Sequence, residues 1–444
     1  MNNLDKALAR HQHEIEEQEI EKHMINRRSY ILVFLLFFTL MIPALIISTP
    51  SEIIEGLYQI IISPSNLTTD YFVVGGLGGS LVNSALILLM YTLVVRRLDL
   101  DMSGSLIAAL FLMAGFALFG KNLYNSFPIT LGVFLNSRFT KQPFEKNILP
   151  AMYATALGPL VSQITFGLGL SLWLGVLLGI LVGIIVGFIV PPLAANTLRF
   201  HAGFNLYNVG FTAGLIGMLA VGLLRMFGRE IPANGIVFEN PTPILNTVVM
   251  LSWGLFTLVG AFLVYKSKYS LNQFIDLTNN SGRLVADFIN IYGFEVTLLN
   301  MGLMGLISTA YVILINGNLT GPTLGGILTV VGFAAFGKHV KNAPPIMLGV
   351  FIASLFTGGG PETNAALLGA LFGTALAPIA GHYGILSGAI AGFFHYAMVV
   401  NVSYLHAGVN LYNNGFSAGF IAAILVPILD TVQEARRSRQ DEYE

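Results

Sequence analysis

The 444-residue chain contains no cysteine. That absence excludes disulfides, iron–sulfur clusters, cysteine-ligated zinc and thiol catalysis together, and it leaves the redox compartment unread. Charge is nearly as scarce: 10% of residues are Asp, Glu, Lys or Arg against 55% apolar, and mean hydropathy is +0.73. Soluble domains carry about 25% charged residues, so this composition excludes a soluble enzyme and points to lipid. A net charge of −1 offers no basic excess for phosphates, and no nucleic-acid partner is expected. HExxH and Walker sequences are missing, and no GxGxxG opens a soluble βαβ unit. An enzyme is not expected, nor is a cofactor or a metal site.

The charge that exists is concentrated at the ends. Residues 1–28 hold 11 of the charged side chains and residues 430–444 hold 8, leaving a nearly uncharged middle. We read 1–28 and 430–444 as cytoplasmic tails, 29–228 and 243–429 as two membrane repeats, and 229–242 as an outer linker. Apolar runs of about 20 residues match a bilayer core about 30 Å thick. They predict ten spans near 30–48, 71–95, 148–168, 171–192, 204–225, 243–265, 294–315, 364–380, 384–401 and 406–428. The first is expected to be retained, because an acidic segment precedes it and no small-residue cleavage box follows.

Two further stretches, 103–136 and 320–356, are too long for one span and broken by polar residues. Lys121, Asn122 and Asn125 interrupt the first, and Lys338, His339, Lys341 and Asn342 the second. Lipid-exposed helices do not carry such groups at mid-depth, whereas re-entrant hairpins packed inside protein do. With the N-terminus inside, this layout puts Arg96, Arg97, Arg138, Lys141, Lys146, Arg199, Lys266, Lys268 and Arg283 in cytoplasmic loops, as the positive-inside rule requires. Arg225 and Arg229 dissent. The fold class predicted is therefore an all-α polytopic membrane protein with ten spans and two re-entrant hairpins.

The chain also repeats itself. Gly115–Phe134 and Gly332–Phe351 are identical at 13 of 20 positions, at an offset of 217; both contain FGK. His201–Ile216 and His406–Ile421 share HAGxNLYN and match at 12 of 16, at an offset of 205. Each half then holds five spans and one hairpin, and an odd number inverts the second half. Inverted repeats place a solute site at mid-membrane where the halves meet.

The repeated polar residues are the site candidates: Lys121, Asn125, Lys338 and Asn342 in the hairpins, and His201, Asn205, Tyr207, His406, Asn410 and Tyr412 in the HAGxNLYN elements. Were the hairpins to meet tip to tip, Pro128 and Pro345 would each start a half-helix whose N-terminal N–H groups, with the lysines, favour an anion or a polar oxygen. The competing reading has the lysines snorkelling or capping helix ends. Helical spacing puts His201 and Asn205 on one face, where they either line a pore or tie helices together. Thr155 in TALGP and Thr374 in TALAP read as matched helix breaks whose hydroxyls satisfy freed backbone. Glu295 and His395 are unmatched ionisable residues, Glu295 near a helix start.

With two halves of five spans and a hairpin each, the plan resembles the urea-transporter fold, and residues 205–217, NLYNVGFTAGLIG, faintly share its small-residue pattern. The resemblance implies one pore per protomer and a homo-oligomer, a trimer by analogy, but no site residue. The HAGxNLYN and FGK motifs resemble more closely an uncharacterised prokaryotic multi-pass membrane family, a domain of unknown function, which implies a prokaryotic plasma membrane. The function expected is transport of a small polar or anionic solute by a channel, facilitator or secondary transporter. A membrane subunit of an ion-pumping or redox complex and a non-transporting scaffold are the alternatives. The redox class resembles proteins that carry flavin on the Thr of Ser-Gly-Ala-Thr; here Ser387, Gly388 and Ala389 are followed by Ile390, which has no hydroxyl.

Overall fold

A computed structural model describes residues 3–231, 235–239, 243–267 and 271–441. Lys268, the ends of both tails and parts of the 229–242 linker lie outside the described residues. The first half comprises α1 (Asn3–Ile47), α2 (Pro50–Ile62), α3 (Tyr71–Val74), α4 (Gly76–Arg97), α5 (Gly104–Phe116), α6 (Leu123–Phe139), α7 (Ile148–Ala154), α8 (Gly158–Ser162), α9 (Leu172–Phe200) and α10 (Asn208–Met226). The second comprises α11 (Pro243–Lys266), α12 (Leu271–Asn279), α13 (Phe288–Tyr292), α14 (Phe294–Leu314), α15 (Gly321–Phe333), α16 (Ala343–Ser354), α17 (Asn364–Gly373), α18 (Ala377–Tyr383), α19 (Ile385–His406) and α20 (Asn413–Asp441). Among the described residues, nine helical segments are long and apolar enough to cross a bilayer. The predicted span at 148–168 is broken instead into α7, a 3₁₀ turn at Thr155–Leu157, α8 and a π turn at Gln163–Gly167.

Both interrupted stretches form hairpins. Asn83 of α4 touches the tip between α5 and α6 at Lys121, and Tyr91, two turns further along α4, bonds Thr130 of α6. The chain of α6 therefore runs beside α4 in the same direction, opposite to α5, and returns to the face where α5 began. Pro128 and Ile129 of α6 lie against Gly183 and Gly187 of α9, so α9 runs parallel to α6 as well. Arg97, Arg138 and Arg199, near the ends of these three helices, consequently share one face, called here the basic face.

The hairpins do not meet tip to tip. Helices α5 and α15 lie antiparallel and side by side over their whole length: Gly104 sits at Ala335, Gly115 at Gly325, and Leu118 at Gly321. Each tip thus reaches the depth of the other hairpin's base. Glycine makes the overlap possible, since a Cβ on Gly325 would stand 2.6 Å from the Gly115 carbonyl oxygen. The prolines also differ from expectation. An Asn122–Asn125 capping box starts α6 at Leu123, leaving Pro128 inside the helix, whereas α16 starts at Ala343 with Pro345 in its first turn. His339 stands where Asn122 stands in the first half, and it has no side-chain oxygen to cap an earlier turn.

The HAGxNLYN elements do not form continuous helix either. Residues 201–207 separate α9 from α10, and 407–412 separate α19 from α20, so His201 and Asn205 do not share a helix face. Ala202 and Gly203 (φ 50° and 80°) and Ala407 and Gly408 (φ 44° and 77°) turn the chain through left-handed conformations that end the preceding helices.

Candidate functional site

Non-helical backbone inside a membrane domain must find its hydrogen bonds within the protein. The hairpin tips do so through buried asparagines. Asn83 donates from Nδ2 to the carbonyls of Ala117 (2.7 Å) and Lys121 (2.9 Å). Asn300 donates in the same way to Ala334 and Lys338, both at 2.8 Å. Within the tips, Asn125 donates to Gly120 O and Asn342 to Gly337 O, each at 2.9 Å. All these pairs are related by the offset of 217. Asn125 and Asn342 are therefore engaged in holding their loops.

A second matched pair fastens the halves together. Asp70 accepts from Gly321 N at 3.2 Å, and Asp287 accepts from Gly104 N at 3.1 Å, so each carboxylate sits at the first residue of the other half's hairpin. Each also caps its own short helix, through Phe72 N and Asn290 N respectively. Burial pushes the Asp70 carboxyl up to about 6, against the opposing pull of the Phe72, Phe238 and Gly321 N–H groups.

The NLY segments cross between halves as well. Leu206 N donates to Ala375 O (2.9 Å) and Leu411 N to Ala156 O (3.0 Å). These carbonyls lie in the 3₁₀ turns of the TAL elements, so the helix breaks are filled from the opposite half, while Thr155 and Thr374 bond Met152 O and Leu371 O. Asn205 and Asn410 accept from Tyr207 N and Tyr412 N, and Asn205 also donates to Gly415 O. His201 bonds Asn208, and His406 bonds Gly214 O. These four residues brace the backbone and present the two tyrosines. Glu295 is taken up by an ion pair with Arg28, and His395 by Asn414.

The tyrosines and the lysines meet at the centre. Each lysine folds back along the helix before it: Lys121 Nζ lies 3.0 Å from Met113 Sδ and 5.3 Å from the Phe116 ring, and Lys338 Nζ lies 5.1 Å from the Phe333 ring. Phe116 contacts Tyr412 (4.9 Å between centroids), Tyr412 contacts Tyr207 (5.2 Å), and Tyr207 contacts Phe333 (4.8 Å). A continuous aromatic layer thus links the two ammonium groups. Lys338 Nζ donates to Tyr207 Oη at 2.6 Å. Both lysines are fully buried, and among the described residues neither has a carboxylate partner. Burying a cation is costly unless an anion accompanies it.

A cavity of about 390 Å³ leads to this layer. Its wall includes Ser105, Lys146 and Asn147 at the basic face, and its inner end is Tyr153, Tyr207, Phe333 and Tyr412. From Asn147 to Tyr153 the path climbs about 9 Å at 1.5 Å per helical residue. Beyond the layer, Phe119 and Phe372 pack on Phe116 and are completely buried, closing the way to the opposite face. Of the ten residues singled out from the sequence, Tyr207 and Tyr412 line this cavity, Lys121 and Lys338 stand behind its end, and the other six hold the scaffold.

Sequence reasoning missed Asp70, Asp287, Asn83, Asn300, Phe116, Phe333 and Tyr153. The first four were within reach: carrying the offset of 217 upstream from FGK pairs Asp70 with Asp287 and Asn83 with Asn300. The phenylalanines lie inside the repeated segment but carry no polar signal.

Apolar helices too long for any soluble core, two hairpins with internally satisfied tips and a buried polar centre define a polytopic helical membrane protein. Its family follows from comparison with known proteins. The chain belongs to the DUF1576 family, described as proteins of unknown function, whose match covers residues 49–226 and 266–431. The two matched stretches begin 217 residues apart, the spacing of the hairpin repeat, and both leave out the long first helix of each half, α1 and α11. No curated protein and no solved structure matches the chain.

Proposed function

We propose that this chain is a membrane transport protein, a channel, facilitator or secondary transporter, that carries a small polar or anionic solute between two inverted five-span repeats. The observation that carries the reading is the cavity that ends on an aromatic layer flanked by two buried lysines without carboxylate partners. Inversion is supported by paired contacts that exchange halves, such as Asp70 with Gly321 and Asp287 with Gly104. In this reading the broken helices at 148–167 form the tenth span, and the basic face and both termini are cytoplasmic. The membrane is a prokaryotic plasma membrane, and a homo-oligomer is proposed from the resemblance to the urea-transporter fold. A redox subunit is disfavoured by Ile390, and a scaffold has no use for a cavity leading to buried cations.

The test uses the absence of native cysteine. Ala195→Cys places a thiol on the cavity wall. Modification by a bulky thiol reagent from the basic face is expected to stop uptake of chloride, formate or urea into proteoliposomes. Full uptake after complete labelling, or no uptake of any of the three by the unlabelled protein, contradicts the proposal.

A further inference from the structure

The two lysine–tyrosine pairs are equivalent in sequence but not in contact. Lys338 and Tyr207 are closed on each other by a 2.6 Å hydrogen bond. Their counterparts, Lys121 and Tyr412, are open: Tyr412 Oη has no hydrogen-bond partner although the residue is 1% exposed and lines the cavity end. Lys121 Nζ meets a thioether, a weak acceptor, and the face of Phe116. The same Phe116 ring packs at a steep angle on the Tyr412 ring, so one side chain neighbours both residues. Native proteins rarely leave a buried phenol and a buried ammonium short of acceptors.

We infer that the space between the Tyr412 hydroxyl and the Lys121 ammonium binds a small monovalent anion. This inference rests on the transport reading for what the site is for, and it names the class of solute carried. One anion accepts from both donors at once, and its single charge balances the Lys121 ammonium, the one of the two that has no oxygen acceptor. A divalent anion leaves a negative charge uncompensated among aromatic rings, and a neutral carbonyl leaves the ammonium uncompensated. The closed Lys338–Tyr207 pair shows what the first pair lacks: there a phenol oxygen already occupies the ammonium.

The test is binding of radiolabelled chloride and formate to the full-length protein in nanodiscs, with uptake into proteoliposomes measured in parallel. Wild type is expected to bind saturably, with sulfate and urea failing to compete. Tyr412→Phe, which keeps the ring, should bind roughly tenfold to hundredfold more weakly, the range for one hydrogen bond to a charged group. Lys121→Met should abolish binding. Should Lys121→Met not fold, Lys121→Arg keeps the charge and is expected to retain binding. Tyr58→Phe, at an exposed position outside the cavity wall, should bind within a few-fold of wild type. Undiminished binding by Tyr412→Phe, no binding by wild type, or equal competition by urea or sulfate overturns the inference. Urea uptake without anion binding overturns this site and leaves transport standing; anion binding without uptake does the reverse.

Discussion

The asparagine clamps give a prediction whose size can be worked from the structure. Asn83→Leu removes two hydrogen bonds, of 2.7 and 2.9 Å, and leaves the carbonyls of Ala117 and Lys121 facing an apolar side chain. Hydrogen bonds within membrane proteins contribute about 0.6 kcal/mol each on average and about 1.7 at most. Two of them, both fully buried and serving non-helical backbone, fall at the upper end, giving about 3 kcal/mol. Asn300→Leu removes the matched pair of bonds but also removes Oδ1, which has no partner of its own. Relief of that unpaired oxygen offsets about 1 kcal/mol, so this variant should lose about 2. Equilibrium unfolding in mixed micelles measures both. Losses below about 0.5 kcal/mol for both variants, or a larger loss at Asn300 than at Asn83, would refute the reasoning that the tips depend on these amides.

Three more predictions concern how the halves are joined. Asp70 holds its proton more tightly folded, near 6, than in an unfolded chain, near 3.9, so its contribution is fully present below about pH 4 and is lost as pH rises through about 6. The difference in stability between wild type and Asp70→Asn should therefore change by about 3 kcal/mol across that window, and a pH-independent difference would show that the carboxyl titrates elsewhere. Gly325→Ala drives a methyl against the Gly115 carbonyl and should cost about 1–3 kcal/mol in the same unfolding assay, with an unchanged midpoint counting against close α5–α15 packing. Single cysteines at Lys141 and Gly358 should be labelled by an impermeant reagent from opposite sides of the membrane. Labelling from one side would remove the inverted topology.

Much of this architecture is visible in the letters because the repeat carries polar residues. Lys121 and Lys338 announce hairpins, since a lysine at mid-depth requires protein around it, and the structure places both in buried tips. The side-by-side overlap of the hairpins was not legible: Gly104, Gly115 and Gly325 signal close packing without saying against which helix. The HAGxNLYN elements misled because His201 and Asn205 have helical spacing, whereas the left-handed turns at Ala202 and Ala407 fall on alanines that give no warning. Nor does sequence separate the two lysine–tyrosine pairs. Their difference lies in packing, where Met113 lies beside the Lys121 ammonium and the matched position of the other half is Val330.

The central claim, that two buried lysines serve a transport path, is tested most directly by uptake of radiolabelled chloride and formate into proteoliposomes containing either wild type or the Lys121→Met/Lys338→Met double variant. The account predicts saturable uptake of at least one anion by wild type and uptake at the level of protein-free liposomes by the folded double variant. Equal uptake by the two proteins, or none by wild type, would contradict it.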